Sequence, residues 1–187
     1  ISYLYFFVEF LCGISFVAIY LNFTNYFDFI LLQIIFLIFL IIFFIDLKHS
    51  IIPNVLNFSL IFLGLTKNLI PNSEINFNFS FMPSLLGGLL GYLSIWLIIY
   101  LYKKFKNLEA MGYGDAKLMA AIGTFFGIKA IPFTLFFSSI MGLLIVLPSL
   151  IKKTKSLKAE IPFGPYMLTA SVFYYFYGEK IYNILLI

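Results

Sequence analysis

An all-α bundle of helices crossing a membrane about seven times is the architecture this sequence predicts, and three observations predict it. Of its 187 residues, 63% are hydrophobic and 11% charged, against about 25% charged in ordinary globular chains; the mean hydropathy is +1.05. The apolar residues fall into several runs of the length a membrane helix needs, ~20 residues. Within those runs apolar positions are continuous rather than alternating, which argues against a membrane β-barrel, and a bilayer admits only helices or closed barrels. The whole chain, 1–187, reads as one transmembrane domain.

The elements follow in order. The first span, 5–23, holds the single cysteine, Cys12. One cysteine excludes an intrachain disulfide and a cysteine-based zinc site, and in an apolar run it reads as packing. The chain opens at Ile1 with neither the basic region nor the small-residue cleavage site of a signal peptide, so it reads as a processed or partial chain. The second span, 29–45, is closed by Asp46. The third, 53–70, opens at Pro53, a residue tolerated in a first helical turn. A polar loop, 71–80, leads to the fourth span, 84–102, and the segment 103–114 is polar, then glycine-rich.

The fifth span, 115–131, is unusual. From Asp115 to Ile128 is fourteen residues, about 21 Å of helix, short of a ~30 Å hydrocarbon core. It is rich in small residues: Ala116, Ala120, Ala121, Gly123, Thr124 and Gly127. Gly123 and Gly127 form a GxxxG step, as do Gly87 and Gly91 in the fourth span, and such steps let helix backbones approach closely. The fifth span is therefore expected at the centre of the bundle with the fourth packed on it. The sixth span, 132–151, is followed by a basic segment, 152–160, and the seventh, 162–187, ends the chain. No internal repeat of the kind common in transporters is evident.

The formal net charge is +4, with twelve lysines and no arginine. If the spans alternate, Lys48, Lys103, Lys104, Lys106, Lys117, Lys152, Lys153, Lys155 and Lys158 share one face, and Lys67, Lys129 and Lys180 share the other. Nine against three is a positive-inside bias that makes the first face cytoplasmic. It also explains the lysines without a nucleic-acid partner. Two of the three aspartates, Asp46 and Asp115, fall on that same face.

Carboxylates at a membrane boundary are costly. Taken singly, each has a plain explanation: Asp115 as the cap of a helix, Asp46 as a boundary charge paired with Lys48 or His49. Taken together, they fit peptide hydrolysis by two carboxyl groups and a water. The motif Gly112-Tyr113-Gly114-Asp115 suits that chemistry. Its glycines remove side chains beside the carboxylate, so an extended substrate can approach; Gly112, Tyr113, Gly114 and Pro53 are the expected substrate contacts. Two carboxyls in one site cannot easily both ionise. Because Asp115 begins a helix and Asp46 ends one, the helix dipole would favour Asp115 as the base and Asp46 as the proton holder. No metal site is expected, since His49 is the lone histidine. The rival classes are a proton- or ion-coupled transporter using the same carboxylates, and a structural subunit in which the two lie far apart.

Asp46 with Ile52-Pro53-Asn54, then Met111-Gly112-Tyr113-Gly114-Asp115-Ala116-Lys117-Leu118, then Ile161-Pro162-Phe163-Gly164-Pro165, resemble the three landmark segments of the type IV prepilin leader peptidases, GxGD-type aspartic peptidases of the bacterial inner membrane. The likeness covers essentially the whole chain in order and spacing. It implies cleavage of the basic leader from prepilins or pseudopilins at the cytoplasmic face, with Asp46 and Asp115 as the catalytic pair. Lys117, Ile161, Pro162, Phe163 and Gly164 become supporting residues, and the substrate becomes a membrane-inserted helix in contact with lipid. Glu109 and Glu160 are candidates for leader recognition. The family often has Asp where this chain has Asn54, and Arg-Tyr-Pro where it has Leu4-Tyr5-Phe6. The family's N-terminal cytoplasmic region, with its paired CxxC motifs, has no counterpart here; S-adenosylmethionine is implied only if that region confers methylation, and the peptidase itself needs no cofactor. A preflagellin-type GxGD peptidase is the nearest enzymatic alternative. The sequence does not specify an oligomeric state.

Overall fold

The computed structural model of the chain describes residues 3–22, 25–67, 81–107, 111–151 and 162–185. The expected loop at 71–80, the basic segment 152–160, Glu109, Glu160 and Ile161 lie outside the described residues.

Seven helices occupy the described residues: α1 Tyr3–Asn22, α2 Tyr26–His49, α3 Asn54–Thr66, α4 Phe81–Lys106, α5 Tyr113–Phe126, α6 Ala130–Ile151 and α7 Gly164–Leu185. Each expected span corresponds to one of them. Four, α1, α2, α4 and α6, are long and apolar enough by themselves to cross a membrane, and α3 is a shorter apolar helix. Large apolar side chains such as Phe62, Leu143 and Leu144 remain exposed on the outside of the bundle, the face a lipid solvent covers.

Helix ends moved where hydropathy and hydrogen bonding disagree. The apolar run of the second span stops before Asp46, yet α2 continues to His49, because a helix keeps its backbone bonds regardless of side-chain polarity. It stops at Ser50, whose φ of 52° is left-handed and whose N–H closes on the Asp46 carbonyl at 2.8 Å. Pro53 is the N-cap of α3 rather than its first turn. The α5 helix ends at Gly127, φ 80°, before the expected limit at 131; Pro132 belongs instead to the first turn of α6.

Helix α5 is the core. From Ala116 to Phe126 every residue but Lys117 is buried. Helix α4 packs along it so closely that a Cβ on Gly87 would collide with the Gly123 carbonyl, and one on Gly123 with the Gly87 carbonyl. A Cβ on Gly91 would lie 2.5 Å from the Met119 carbonyl oxygen. The glycine steps thus set the backbone-to-backbone approach expected of them. Lys67, a topological lysine by sequence, is buried at the far end of α5. Its Nζ donates to the Phe125 carbonyl and lies 4.7 Å from the Phe125 ring centre. A cation there satisfies a terminal carbonyl and complements the helix dipole.

Candidate active site

The connection Ser50–Pro53 and the first turns of α3, α5 and α7 gather at one end of the bundle, and both aspartates face into that gathering. Contacts of Gly164 with Asp46, of Asn57 with Gly114 and of Ile52 with both glycines hold it together. Helix α2 arrives at this end, α3 leaves it, α4 returns, α5 leaves, α6 returns and α7 leaves.

Asp115 is the third residue of α5, not its cap. Gly112 is the N-cap, and its backbone N–H donates to Asp115 Oδ2 at 3.2 Å. This is the reach-back half of a capping box; Gly112 has no side chain to return it. Asp115 is 9% exposed. The carboxyl thus satisfies one amide of its own helix start.

Asp46, 4% exposed, sits in the last turn of α2. Its partner is neither Lys48 nor His49. The Gly164 N–H donates to Asp46 Oδ2 at 3.0 Å, across 118 positions of sequence. Gly164 is the first residue of α7, so this amide is one that a helix start leaves without an internal partner. Pro165 follows and has no N–H to satisfy. A Cβ at position 164 would lie 2.6 Å from that same carboxyl oxygen, so only glycine lets the chain come this near.

The expectation that Asp46 and Asp115 differ by helix polarity loses its ground here. Asp46 does end one helix, but it also receives the N-terminal amide of another. Each carboxyl lies at a positive helix end, so the dipoles no longer separate their roles.

Ile52 stands between the two segments. Its side chain is buried and lies 3.2 Å from where a Cβ on Gly114 would be, and 3.1 Å from one on Gly164. The space beside Gly114 is thus filled by Ile52, whereas a Cβ on Gly112 would meet Asp115 Oδ2 at an ordinary contact distance of 3.8 Å. Of the four expected substrate contacts, Gly112 and Tyr113 are exposed, Gly114 and Pro53 partly covered. The two carboxyl groups are within electrostatic reach of each other.

Lys117 pairs with neither carboxyl: its Nζ donates to Asn54 Oδ1 at 2.7 Å. Pro162 and Phe163 lead into α7, and the Phe163 carbonyl accepts from the N–H groups of Tyr166 and Met167, which fixes the helix start that Asp46 uses. Sequence reasoning missed Ile52 as a spacer and passed over Asn57, which donates to the Gly114 carbonyl at 3.3 Å. An Asn three residues after Asn54, on a helix otherwise apolar around it, was the available signal. Among the described residues no group of three or more His, Cys, Asp or Glu could hold a metal ion.

Fold and site together define a polytopic helical membrane protein that brings two buried carboxyls to one end of its bundle. The chain belongs to the type IV leader peptidase family, whose model matches residues 31–147. It is similar to proteins named prepilin leader peptidase/N-methyltransferase. That of Xanthomonas campestris pv. campestris is 36% identical over 137 residues, 73% of this chain and 46% of the relative. That of Pseudomonas aeruginosa is 34% identical over 137 residues, with the same coverage. That of Dichelobacter nodosus is 34% identical over 138 residues, 74% of this chain and 45% of the relative. The chain thus spans about half the length of the curated relatives it matches. No solved structure gives a significant match.

Proposed function

We propose that this chain is the peptidase unit, 1–187, of a membrane-embedded aspartic endopeptidase that removes the leader of prepilins or pseudopilins. The observation that carries the reading is the pairing of Asp46 and Asp115. They come from different helices, each anchored by one backbone amide at a helix start, and converge at the same end of the bundle. A structural role would give each aspartate a lysine, and Lys117 goes to Asn54 instead.

In the proposed reaction the pair holds one proton between its two carboxyls. The ionised carboxyl takes a proton from water, and the water oxygen attacks the scissile carbonyl carbon. The protonated carboxyl donates to the carbonyl oxygen. As the C–N bond breaks, the carboxyl that took the water proton gives it to the departing amine and the other takes a hydroxyl proton from the tetrahedral intermediate, which restores the singly protonated pair. Gly112 and Tyr113 line the side from which an extended substrate would arrive. The substrate is a membrane-inserted helix with a basic leader, presented at the cytoplasmic face of the bacterial inner membrane according to the lysine distribution. No metal takes part. The relatives' names include N-methyltransferase; S-adenosylmethionine-dependent methylation belongs in this proposal only to a longer chain.

The experiment is cleavage of a model prepilin by the purified chain in detergent, with the product identified by mass. Cleavage after the leader, abolished in Asp46→Asn and in Asp115→Asn while both variants remain in the membrane, is the expected result. Substantial turnover by either variant would end the dyad reading. Ion flux in proteoliposomes without any peptide cleavage would favour a transporter instead.

A further inference from the structure

Asn57 lies in α3, one turn after Asn54, and is fully buried against the start of α5. Its Nδ2 donates to the Gly114 carbonyl, immediately before Asp115, at 3.3 Å. Its Oδ1 is buried with no hydrogen-bond donor among the described residues. As a device for stability this is a poor choice. The net gain from one amide–carbonyl bond is smaller than the cost of a buried acceptor left unsatisfied, and an apolar side chain of the same size would avoid that cost. Something other than stability accounts for the group.

What Asn57 holds is informative. The Gly114 carbonyl belongs to the peptide that carries the Asp115 amide. Gly114 has no side chain to resist displacement, and the nearest atoms on its flank belong to Ile52. Asn57 ties this turn to α3, and α3 is joined through only Ser50–Pro53 to the end of α2 that carries Asp46. Asn54 makes the parallel tie by accepting from Lys117 Nζ. The two asparagines, three apart on one helix, therefore connect the segment bearing one carboxyl to the segment bearing the other.

We propose that Asn57 is a positioning residue: through Gly114 it fixes the distance between Asp115 and Asp46. This rests on the peptidase reading above, which gives that distance its importance. The loss of Asn57 should then appear in the chemical step and not in substrate binding, because a small misplacement of a catalytic group costs up to ~100-fold in rate.

The test uses the full chain with Asn57→Leu and Asn57→Asp, measuring prepilin cleavage against pH, thermal melting in detergent, and amide exchange at residues 112–115. Asn57→Leu should lower kcat by roughly tenfold to a hundredfold at every pH with KM unchanged, melt no lower than the parent, and exchange faster at the turn. Asn57→Asp keeps the shape. When protonated it can donate to the Gly114 carbonyl; when ionised it cannot, and it adds a charge beside Asp115, Asp46 and Lys117. Its kcat should approach that of the parent at the acid end and fall away as pH rises. A parent-like kcat and pH profile in Asn57→Leu would overturn the assignment, as would a loss of kcat matched by a fall in melting temperature. Equal, pH-independent losses in both variants would also overturn it. Absence of cleavage by the parent chain would defeat the peptidase reading instead, and amide exchange would still decide whether Asn57 holds the turn.

Discussion

Replacing Gly164 with alanine adds one methyl group in the most crowded place the site contains. The new Cβ would lie 2.6 Å from Asp46 Oδ2, 3.3 Å from Asp46 Cγ and 3.1 Å from Ile52 Cδ1. A carbon and an oxygen do not approach to 2.6 Å without displacement, so the carboxyl must rotate or α7 must retreat. Either movement breaks the 3.0 Å bond from the Gly164 N–H. A hydrogen bond to a charged group contributes about 1.5–3 kcal/mol. If that bond holds the carboxyl in its reactive position, its loss raises the barrier by a similar amount, or roughly 10- to 150-fold in kcat at about 1.4 kcal/mol per decade. The helix itself gains, since alanine is the better helix former by up to about 1 kcal/mol, which offsets only part of that loss, so the melting temperature should fall modestly. Gly13→Ala is the control: nothing lies within 4 Å of a Cβ there, and α1 stands apart from the site. Steady-state cleavage of a model prepilin, with melting measured on the same samples, reads both effects. A Gly164→Ala enzyme with parental kcat would refute the claim that the α7 amide holds Asp46. Equal losses in Gly13→Ala would show that the assay reports general damage.

Two further outcomes concern the frame around the site. Gly123→Ala forces a Cβ into the Gly87 carbonyl, and overpacking of this kind costs about 1–3 kcal/mol; denaturation in mixed micelles should show that loss, and an unchanged midpoint would mean α4 and α5 pack less tightly than described. Lys67→Met removes the donor on the Phe125 carbonyl while keeping most of the stem, and should destabilise by about 1–3 kcal/mol with cleavage per folded molecule preserved. A stable Lys67→Met variant would show that the buried ammonium does not cap α5.

Much of the arrangement was legible in the sequence because a bilayer leaves few options. Continuous apolar runs must be helices, and the seven runs correspond to the seven helices of the described residues. The parity of the runs puts Asp46 and Asp115 at one end of the bundle. The glycine steps at 87/91 and 123/127 pointed to the α4–α5 contact because in an apolar solvent close approach needs small residues. Three features were not legible. The Asp46 anchor comes from a backbone amide 118 positions away, and a main-chain donor leaves no mark in a residue pattern beyond the Gly164-Pro165 pair itself. Ile52 looked like one more apolar residue in a short connection, although its side chain fills the space that Gly114 and Gly164 leave. Helix ends were misjudged wherever a charged residue closed a hydrophobic run, as at Asp46, since the lipid and the helix do not stop at the same residue.

The role of the two carboxyls as one unit is tested most directly by a double-mutant cycle in kcat for prepilin cleavage: parent, Asp46→Asn, Asp115→Asn and both together. Groups that act jointly lose nearly everything with the first substitution, so the double variant should be no slower than either single one. Independent losses that multiply in the double variant, or a single variant that retains most of the parental rate, would contradict a shared catalytic pair.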